Sequence, residues 1–463
     1  MRPRRPAVMP GNEPLTFRHT WHFFWPLALS GIIMSAGQPV VQAGLARLPS
    51  PELTLAAYGV AFYVALLLEA PIVMLLVTAT ALVRDERTYR FTRNATFAFS
   101  IGVVAMTAAV ALWQPLNNLV FLRLLAFPAD VAAAARPGLI ALIPWAGAVG
   151  IRRYYQGILI RHGQTKIVSW GSVVRLATMV VVLVAGVILL PEHGVFVGGI
   201  SLLAGVVADM GMALYYARRL LLQRILPEVS DEAKPAGLRA GPFLAFFLPL
   251  ILTTAMRFVG RPLMLSGIAK SPEPLLALAA FPVALGTLQM FSGFVQMLQQ
   301  AAVALIHDAQ SFAVIRRFTA MVAAGVTGIV ALIAFTPLAD AYHGLAIGLE
   351  GEVLAMANAS LRLVMLAAGL TALQSYMQGL MIRRGRTLAV NIAALGNVVL
   401  LVGGINLVAA NSDWPGHLIA GIIFPVALLV EVGALYLWCR PITRELAIVV
   451  PAVAVADKQE TRV

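Results

Sequence analysis

Long apolar segments recur along the whole of this 463-residue sequence. Each is about 20 residues long, the length that an α-helix needs to cross the hydrocarbon core of a bilayer. The composition agrees, because 60% of the residues are hydrophobic and only 12% are charged, whereas about 25% of the residues in soluble domains are charged. Twelve segments are predicted to span the membrane, near 23–46, 53–82, 94–116, 132–156, 167–190, 194–217, 242–268, 274–305, 318–339, 353–381, 388–408 and 415–439. The sequence therefore predicts an all-α polytopic membrane protein.

The basic residues are distributed unevenly around the predicted spans. Most of the 34 Lys and Arg residues lie on one side, in the termini and in the connections at 83–93, 152–166, 216–241, 306–317 and 382–387. The opposite side, called the outer side below, carries Arg47, Arg123, Arg136 and Lys270. The positive-inside rule then places both termini in the cytoplasm, and we expect a multi-pass protein of the inner (plasma) membrane. The net charge of +13 is thereby explained by topology, without nucleic-acid binding.

Short motifs recur at a nearly constant spacing and indicate an internal duplication. QGILIRHGQT at 156–165 returns as QGLMIRRGRT at 378–387, and FFWPLAL at 23–29 is matched by AFFLPLI at 245–251. Each unit has six predicted helices, an even number, so both units cross the membrane in the same sense. They are therefore expected to be parallel repeats related by an axis along the membrane normal.

Five parts follow from this duplication. They are a cytoplasmic tail at 1–20, a six-helix lobe at 21–222, a cytoplasmic linker at 223–241, a second lobe at 242–440 and a cytoplasmic tail at 441–463. Halves of this kind usually enclose a site near the membrane midplane and rock around it. The architecture therefore favours a transporter that works by alternating access.

Apart from Arg136, Arg152 and Arg153, which are counted with the outer side and the connection at 152–166, seven charged residues lie inside the predicted spans: Arg175, Arg257, Arg261, Arg362, Glu69, Asp209 and Glu431. An ionised group at this depth costs on the order of 3 kcal/mol and persists when it faces a cavity or an opposite charge. Guanidinium groups match phosphate and carboxylate oxygens in pairs. Three of the arginines correspond in the duplication to uncharged residues, Arg261 to Gln38, Arg362 to Ile140 and Arg175 to Asn397. Since the fold does not require arginine there, we predict a substrate-binding role for Arg261, Arg362, Arg257, Arg175 and Gln38.

The acids divide into two kinds. Asp209 and Glu431 occupy equivalent positions of the two halves, which favours a structural role as hydrogen-bond acceptors, with a proton or cation site as the alternative. Arg175 is a further candidate partner for Asp209. Glu69 has no acidic equivalent, and it is either a proton-linked group or the counter-ion of an arginine. The sequence thus leaves H⁺ or Na⁺ open as a coupling ion.

Several motifs resemble a known superfamily. The six-plus-six plan, the QG…R.G.T pattern after helices 4 and 10 and the stretch FLRLLAFPADVAAAARPGL at 121–139 resemble the multidrug/oligosaccharidyl-lipid/polysaccharide exporters. Within that superfamily the chain resembles the progressive ankylosis protein family, through WPLAL at 25–29, LAAYGVAF at 55–62, LLAG followed by an acid at 202–209, Arg261-Pro262 and LR at 361–362. This resemblance implies a MATE-like fold and export of small multivalent anions such as pyrophosphate, nucleotides or citrate.

Other functions receive less support. The sequence has no GxxxxGK[ST], DxxxD or HExxH motif and a single cysteine, Cys439, so we predict no enzyme activity, cofactor or metal site. The expected partners are a small anionic substrate and the bilayer, with the protein as a monomer. A flippase for lipid-linked pyrophosphates remains an alternative. So does MATE-type cation-coupled drug efflux, although the intramembrane arginines outnumber the acids. A receptor or scaffold is the remaining class.

Overall fold

The computed structural model describes residues 15–83, 85–225, 240–384 and 386–459, and these ranges are helical and contain no strand. The helices are α1 (Phe17–Ser35), α2 (Gly37–Leu45), α3 (Pro51–Val73), α4 (Leu75–Leu82), α5 (Glu86–Leu112), α6 (Gln114–Asn118), α7 (Ala129–Ala141), α8 (Ile143–Arg161), α9 (Thr165–Leu189), α10 (Gly194–Leu220), α11 (Ala240–Ile268), α12 (Pro274–Gln296), α13 (Leu298–Leu305), α14 (Ala309–Phe335), α15 (Leu338–Asp340), α16 (Gly351–Val364), α17 (Leu366–Arg383), α18 (Thr387–Asn411) and α19 (Gly416–Gln459). Short π-helical turns cover Leu119–Leu124, Leu221–Ile225 and Ala341–Ile347, and Pro191–His193 forms a 3₁₀ turn. The predicted all-α polytopic class is confirmed.

Eleven of the twelve predicted spans are recovered by length and hydropathy within the described ranges. Nine are single helices or nearly continuous pairs, and two are bent pairs, α7 with α8 at 44° and α16 with α17 at 41°. The remaining predicted span, 242–268, coincides with α11. Most of the predicted linker, residues 226–239, lies outside the described residues. Helix α19 continues to Gln459 without a break, beyond the predicted start of the second tail.

The duplication is visible in the helix boundaries. Helices α3 and α12, α4 and α13, and α5 and α14 begin and end at positions related by one constant displacement along the chain. The residues that start these helices repeat as well. Ser50 and Glu273 both adopt a positive φ, 51° and 52°, and capping boxes begin α5 at Asp85 and α14 at Asp308. The two halves therefore share one six-helix plan.

The first helix of each half packs against the other half. Helix α1 lies on α12, and α11 lies on α3, while α3 and α12 contact one another at the centre. Gly31 and Gly293 bring the backbones of α1 and α12 together so closely that a methyl group on either residue would overlap the other's carbonyl oxygen. Aromatic pairs extend these contacts, because the rings of Phe24 and Phe294 are 5.1 Å apart and those of Phe99 and Phe247 4.9 Å apart.

The lobes are also joined at their predicted outer ends. Arg47, which follows α2, donates from Nη1 to the carbonyl of Ile347 at 2.9 Å and from Nη2 to those of Leu345 and Ala346, both at 3.0 Å. Deeper in the interface, Gln42 Nε2 donates to the carbonyl of Pro282 at 3.0 Å. Among the described residues, one charged side chain thus donates to three carbonyl groups of the other half at this end of the interface.

Candidate functional site

Two polar cavities adjoin the interface between the halves. The first-half cavity, of about 240 Å³, is lined by residues that include Gln38, Glu69, Arg152, Arg153 and Arg175. The second-half cavity, of about 310 Å³, is lined by residues that include Arg261, Ser292, Thr371, Gln374, Asn397 and Glu431. Both linings contain Ser35 of α1 and Gln289 of α12. The cavities therefore meet where the two halves touch.

The two cavities are equivalent sites of the duplicated chain. Gln38 corresponds to Arg261, Glu69 to Ser292, Arg152 to Gln374 and Arg175 to Asn397, and in each pair one residue lines one cavity and its equivalent lines the other. In each of these four pairs, the residue that is charged in one half is uncharged in the other. The two halves therefore have cavities at equivalent places, and these four positions differ in which half carries the charged residue.

One arginine of the first-half cavity is neutralised within the protein. Arg152 Nη1 lies 2.8 Å from Asp209 Oδ2, and the Asp209 side chain is only 1% exposed. Gln156 Nε2 donates to Asp209 Oδ1 at 3.2 Å. Gly171 of α9 leaves room for this carboxylate, because a methyl group there would overlap Oδ1. The acid predicted to be structural is therefore held by hydrogen bonds from α8.

The partner of Asp209 is Arg152 and not Arg175, the candidate that the sequence suggests. Arg175 instead donates from Nη2 to the carbonyl of Met34 at 3.1 Å. Helix α8 runs to Arg161 and carries Arg152 and Arg153 inside the protein, although the distribution of basic residues assigns both to the connection at 152–166. Arg153 lines the cavity, and its buried Nε has no hydrogen-bond partner among the described residues.

The second-half cavity is less charged. The Arg261 guanidinium lies 5.6 Å from the ring centre of Phe424 and 5.9 Å from that of Tyr63, and its buried Nη1 has no hydrogen-bond partner among the described residues. Glu431, the equivalent of Asp209, accepts a hydrogen bond from Gln378 Nε2 at 3.2 Å. The remaining lining is rich in amide and hydroxyl side chains, which can form hydrogen bonds with anionic, cationic or neutral polar groups of a ligand.

The predicted site residues are only partly brought together. Arg175, Gln38 and Glu69 line the first-half cavity, and Arg261 lines the second. Arg362 lines neither, since its exposed side chain donates from Nε to the carbonyl of Ala334 at 3.0 Å, near the end of α14. The side chain of Arg257 lies outside the described residues. Sequence reasoning missed Arg152 and Arg153, although their equivalents Gln374 and Ser375 precede the second copy of the QG motif by four and three residues.

Solved structures with a similar fold include transporters and a lipid flippase. An inward-facing multidrug resistance MATE family transporter of the MOP superfamily has a TM-score of 0.67 and 14% identity, over 90% of this chain and 95% of that chain. The chain has a MATE-type fold. Lipid II flippase MurJ in an inward closed conformation has a TM-score of 0.66 and 12% identity, over 92% of this chain and 90% of that one.

A third solved structure has a related fold. It is a MOP superfamily transporter from Pyrococcus furiosus Vc1, described as having a binding pocket of reverse polarity that suggests a different function. Its TM-score is 0.56 and its identity 13%, over 92% of this chain and 96% of that chain. No protein-family model and no curated protein matches the sequence. At these identities the comparisons establish the MATE-type fold, and the chemistry must be argued from the cavities.

Proposed function

We propose that this protein is a secondary transporter that exports small multivalent anions by alternating access between its two halves. Arg153, Arg175 and Arg261 supply the binding groups, and the substrate lies where the two cavities meet. The observation that supports this proposal is the set of arginine side chains that line these cavities. Among the described residues, Arg152 forms an ion pair with Asp209 at 2.8 Å, whereas Arg153, Arg175 and Arg261 form none. The buried Arg153 Nε and Arg261 Nη1 also lack hydrogen-bond partners there, as does the Nε of Arg152.

Guanidinium groups in such surroundings favour anionic ligands. An N–H group buried without an acceptor is costly, and a phosphate or carboxylate oxygen satisfies it with a charge-assisted hydrogen bond. An organic cation would gain nothing from these groups. This charge pattern supports anion transport over drug efflux of the cation type. H⁺ or Na⁺ coupling, the cytoplasmic position of both termini and the plasma membrane belong to the same proposal.

The first test identifies the substrate without assuming it. We expect the medium of cells that express the gene to contain one or more anionic metabolites that are reduced in the medium of cells without it. The anions found are then supplied as radiolabelled compounds to proteoliposomes with the purified protein, beside pyrophosphate, ATP and citrate. No anion transported above protein-free vesicles would refute the proposal.

The second test uses the duplication to choose the variants. Arg175→Asn and Arg261→Gln each install the residue that the other half already carries, so their shapes are compatible with the fold. Each is expected to lower the apparent affinity for the anion at least tenfold, since a charge-assisted hydrogen bond is worth about 1.5–3 kcal/mol. Arg123→Gln on the outer side is the matched control. Unchanged transport in both cavity variants would remove these arginines from the site.

A lipid-linked pyrophosphate is the second candidate substrate, and one structural observation favours it. An apolar groove of about 640 Å³ runs between α14, α17 and α19, lined by residues that include Ala323, Thr327, Gly369, Leu373 and Leu429. Helices α17 and α19 also line the second-half cavity, so one helix pair separates a polar site from an apolar groove. Flipping of a fluorescent diphosphate lipid in vesicles that do not transport soluble anions would favour this candidate.

A further inference from the structure

The acid of the first-half cavity is the least explained group of the site. Glu69 is 3% exposed and lines the cavity together with Arg153 and Arg175. It forms no ion pair with any described residue, and its Oε2 is buried without a hydrogen-bond partner. This carboxylate lies among three guanidinium groups and is bonded to none of them, so it has an acceptor position that no described residue fills.

We propose that this cavity binds an anion that also carries an ammonium group, with Glu69 as the group that receives the ammonium. The proposal rests on the function proposed above and narrows its substrate class. The anionic end of the ligand contacts Arg153 and Arg175, and the ammonium contacts Glu69. Molecules with up to two negative charges and one ammonium, such as an acidic amino acid with two carboxylates or phosphoethanolamine with one phosphate, have this pattern.

The size of the cavity supports contact with both kinds of group. A volume of about 240 Å³ suits a ligand of amino-acid size, which reaches all the walls at once. A ligand with only negative groups would be repelled by the Glu69 carboxylate at one end while its other end bound the arginines. An ammonium at that end turns this repulsion into a charge-assisted hydrogen bond.

The charge balance leads to the same class. Arg152 and Asp209 neutralise one another at 2.8 Å, which leaves Arg153, Arg175 and Glu69 with a combined charge of one positive unit. A ligand with one net negative charge makes the filled cavity neutral. A ligand with three or four negative charges leaves it with a buried excess, which is costly in a low-dielectric interior.

The duplication supports a ligand role over a purely structural one. The equivalent of Glu69 is Ser292, which lines the second-half cavity, so the fold accepts an uncharged residue at this place. In that half the residue equivalent to Arg175 is Asn397, which also lines its cavity. The first half thus carries both Glu69 and Arg175, whereas the second half has uncharged residues at both equivalent positions.

The test compares ligands that differ only in the ammonium group. Transport and thermal stabilisation of the purified protein are measured with glutamate against glutarate, and with phosphoethanolamine against ethyl phosphate. The wild-type protein is expected to prefer the ammonium-bearing member of each pair at least tenfold. Glu69→Gln should reduce that ratio to near one, and Glu192→Gln, at an exposed turn, should leave it unchanged.

The ratio within one variant separates ligand recognition from folding, because a poorly folded variant loses both members of a pair alike. Glu69→Asp, which keeps the carboxylate, should retain part of the preference. Equal handling of both members by the wild-type protein, or a preference that survives in Glu69→Gln, would overturn this inference and leave anion transport standing. If the anions found by the metabolite comparison are transported and none bears an ammonium, the inference also fails. If no anion is transported at all, the proposed function fails with it.

Discussion

Arg136 and Arg362 donate from Nε to equivalent carbonyl oxygens, those of Ala111 and Ala334, at 2.9 and 3.0 Å. Ala111 and Ala334 occupy matching positions of the duplication, at the ends of α5 and α14. The arginines themselves do not match, because the equivalent of Arg362 is Ile140. Helix ends leave carbonyl groups without intrahelical partners, and an arginine satisfies one in each half.

Arg362→Gln is therefore expected to lower stability without altering substrate recognition. Loss of this hydrogen bond should cost about 1 kcal/mol, and the apparent affinity for the transported anion should not change. Arg136→Gln should cost more, because Arg136 also donates to Gln114 and to the carbonyl of Leu112. Melting temperature in detergent and anion uptake in proteoliposomes measure the two properties. A weakened affinity with an unchanged melting temperature would return Arg362 to the substrate site.

The Arg152–Asp209 pair should behave as a buried ion pair. Arg152→Gln installs the residue found at the equivalent position, Gln374, and leaves a buried carboxylate with a single amide donor, Gln156. Removal of one partner from a buried pair costs about 3 kcal/mol. Adding Asp209→Asn should recover more than half of that loss in thermal melts. Additive losses in the double variant would show that the pair is not coupled.

Arg47 should control the outer contact between the halves. Arg47→Ala removes three hydrogen bonds to carbonyls of the other half. Spin labels at positions 52 and 350, which line one cleft beside Arg47, should then show longer and broader distances in a background with Cys439→Ser. The matched control is Arg123→Ala, also on the predicted outer side. An unchanged distribution in Arg47→Ala would exclude a role in closure.

The crossing of α1 and α12 should not tolerate a methyl group. Gly31→Ala places a carbon against the carbonyl oxygen of Gly293, and the helices must separate, at a cost of about 1–3 kcal/mol. Gly102→Ala in α5 is the control, because nothing lies within 4 Å of the added carbon and alanine favours the helix by about 1 kcal/mol. Equal melting temperatures for the two variants would contradict the close crossing.

His343 should make the outer part of the second half sensitive to acid. Its Nδ1 donates to Asn358 Oδ1 at 2.6 Å and its Nε2 lies 3.0 Å from Thr287 Oγ1. Burial lowers the pKa of His343, and the Asn358 hydrogen bond and the charge of Asp340 only partly oppose this effect. A lowered folded-state pKa gives stability that is present above the unfolded pKa of about 6.5 and is lost as the pH falls below it.

The comparison variant is His343→Gln, which keeps a polar side chain that does not titrate. Between pH 7 and pH 5 the wild-type melting temperature should fall more than that of the variant. The other histidines are common to both proteins, so the difference isolates position 343. Parallel pH profiles would show that His343 does not contribute.

The fold could be predicted from the sequence because its signals are local. Hydropathy marks each span, and the repeated words around positions 156 and 378 mark the duplication. Helix ends were harder to place, because a hydropathy window stops where charges begin. The predicted span at 132–156 overlaps the basic connection at 152–166, and Arg152 and Arg153 are counted with the connection. Helix α8 in fact runs to Arg161 and carries both residues.

The candidate site was predictable only in part, for a geometric reason. The depth of a charge follows from its position in a span, and this placed Arg175, Arg261 and Glu69 near the interface between the halves. The direction of a side chain depends on the rotation and bend of its helix. Arg362 lies in the last turn of α16, just before the 41° bend to α17, and it donates to a carbonyl at the end of α14.

The first helix of each half contacts the other half, and α11 packs against α18 of its own half as well. Helix α1 rests on α12 and α11 rests on α3, so the seam of the molecule does not follow the division of the gene product at the linker. If the halves rock as proposed, each half must slide along a helix that belongs, by sequence, to the other half. If the chain is divided at 223–241 and the two halves are produced separately, each half lacks a helix of the other half that packs against it. Neither half is therefore expected to fold alone.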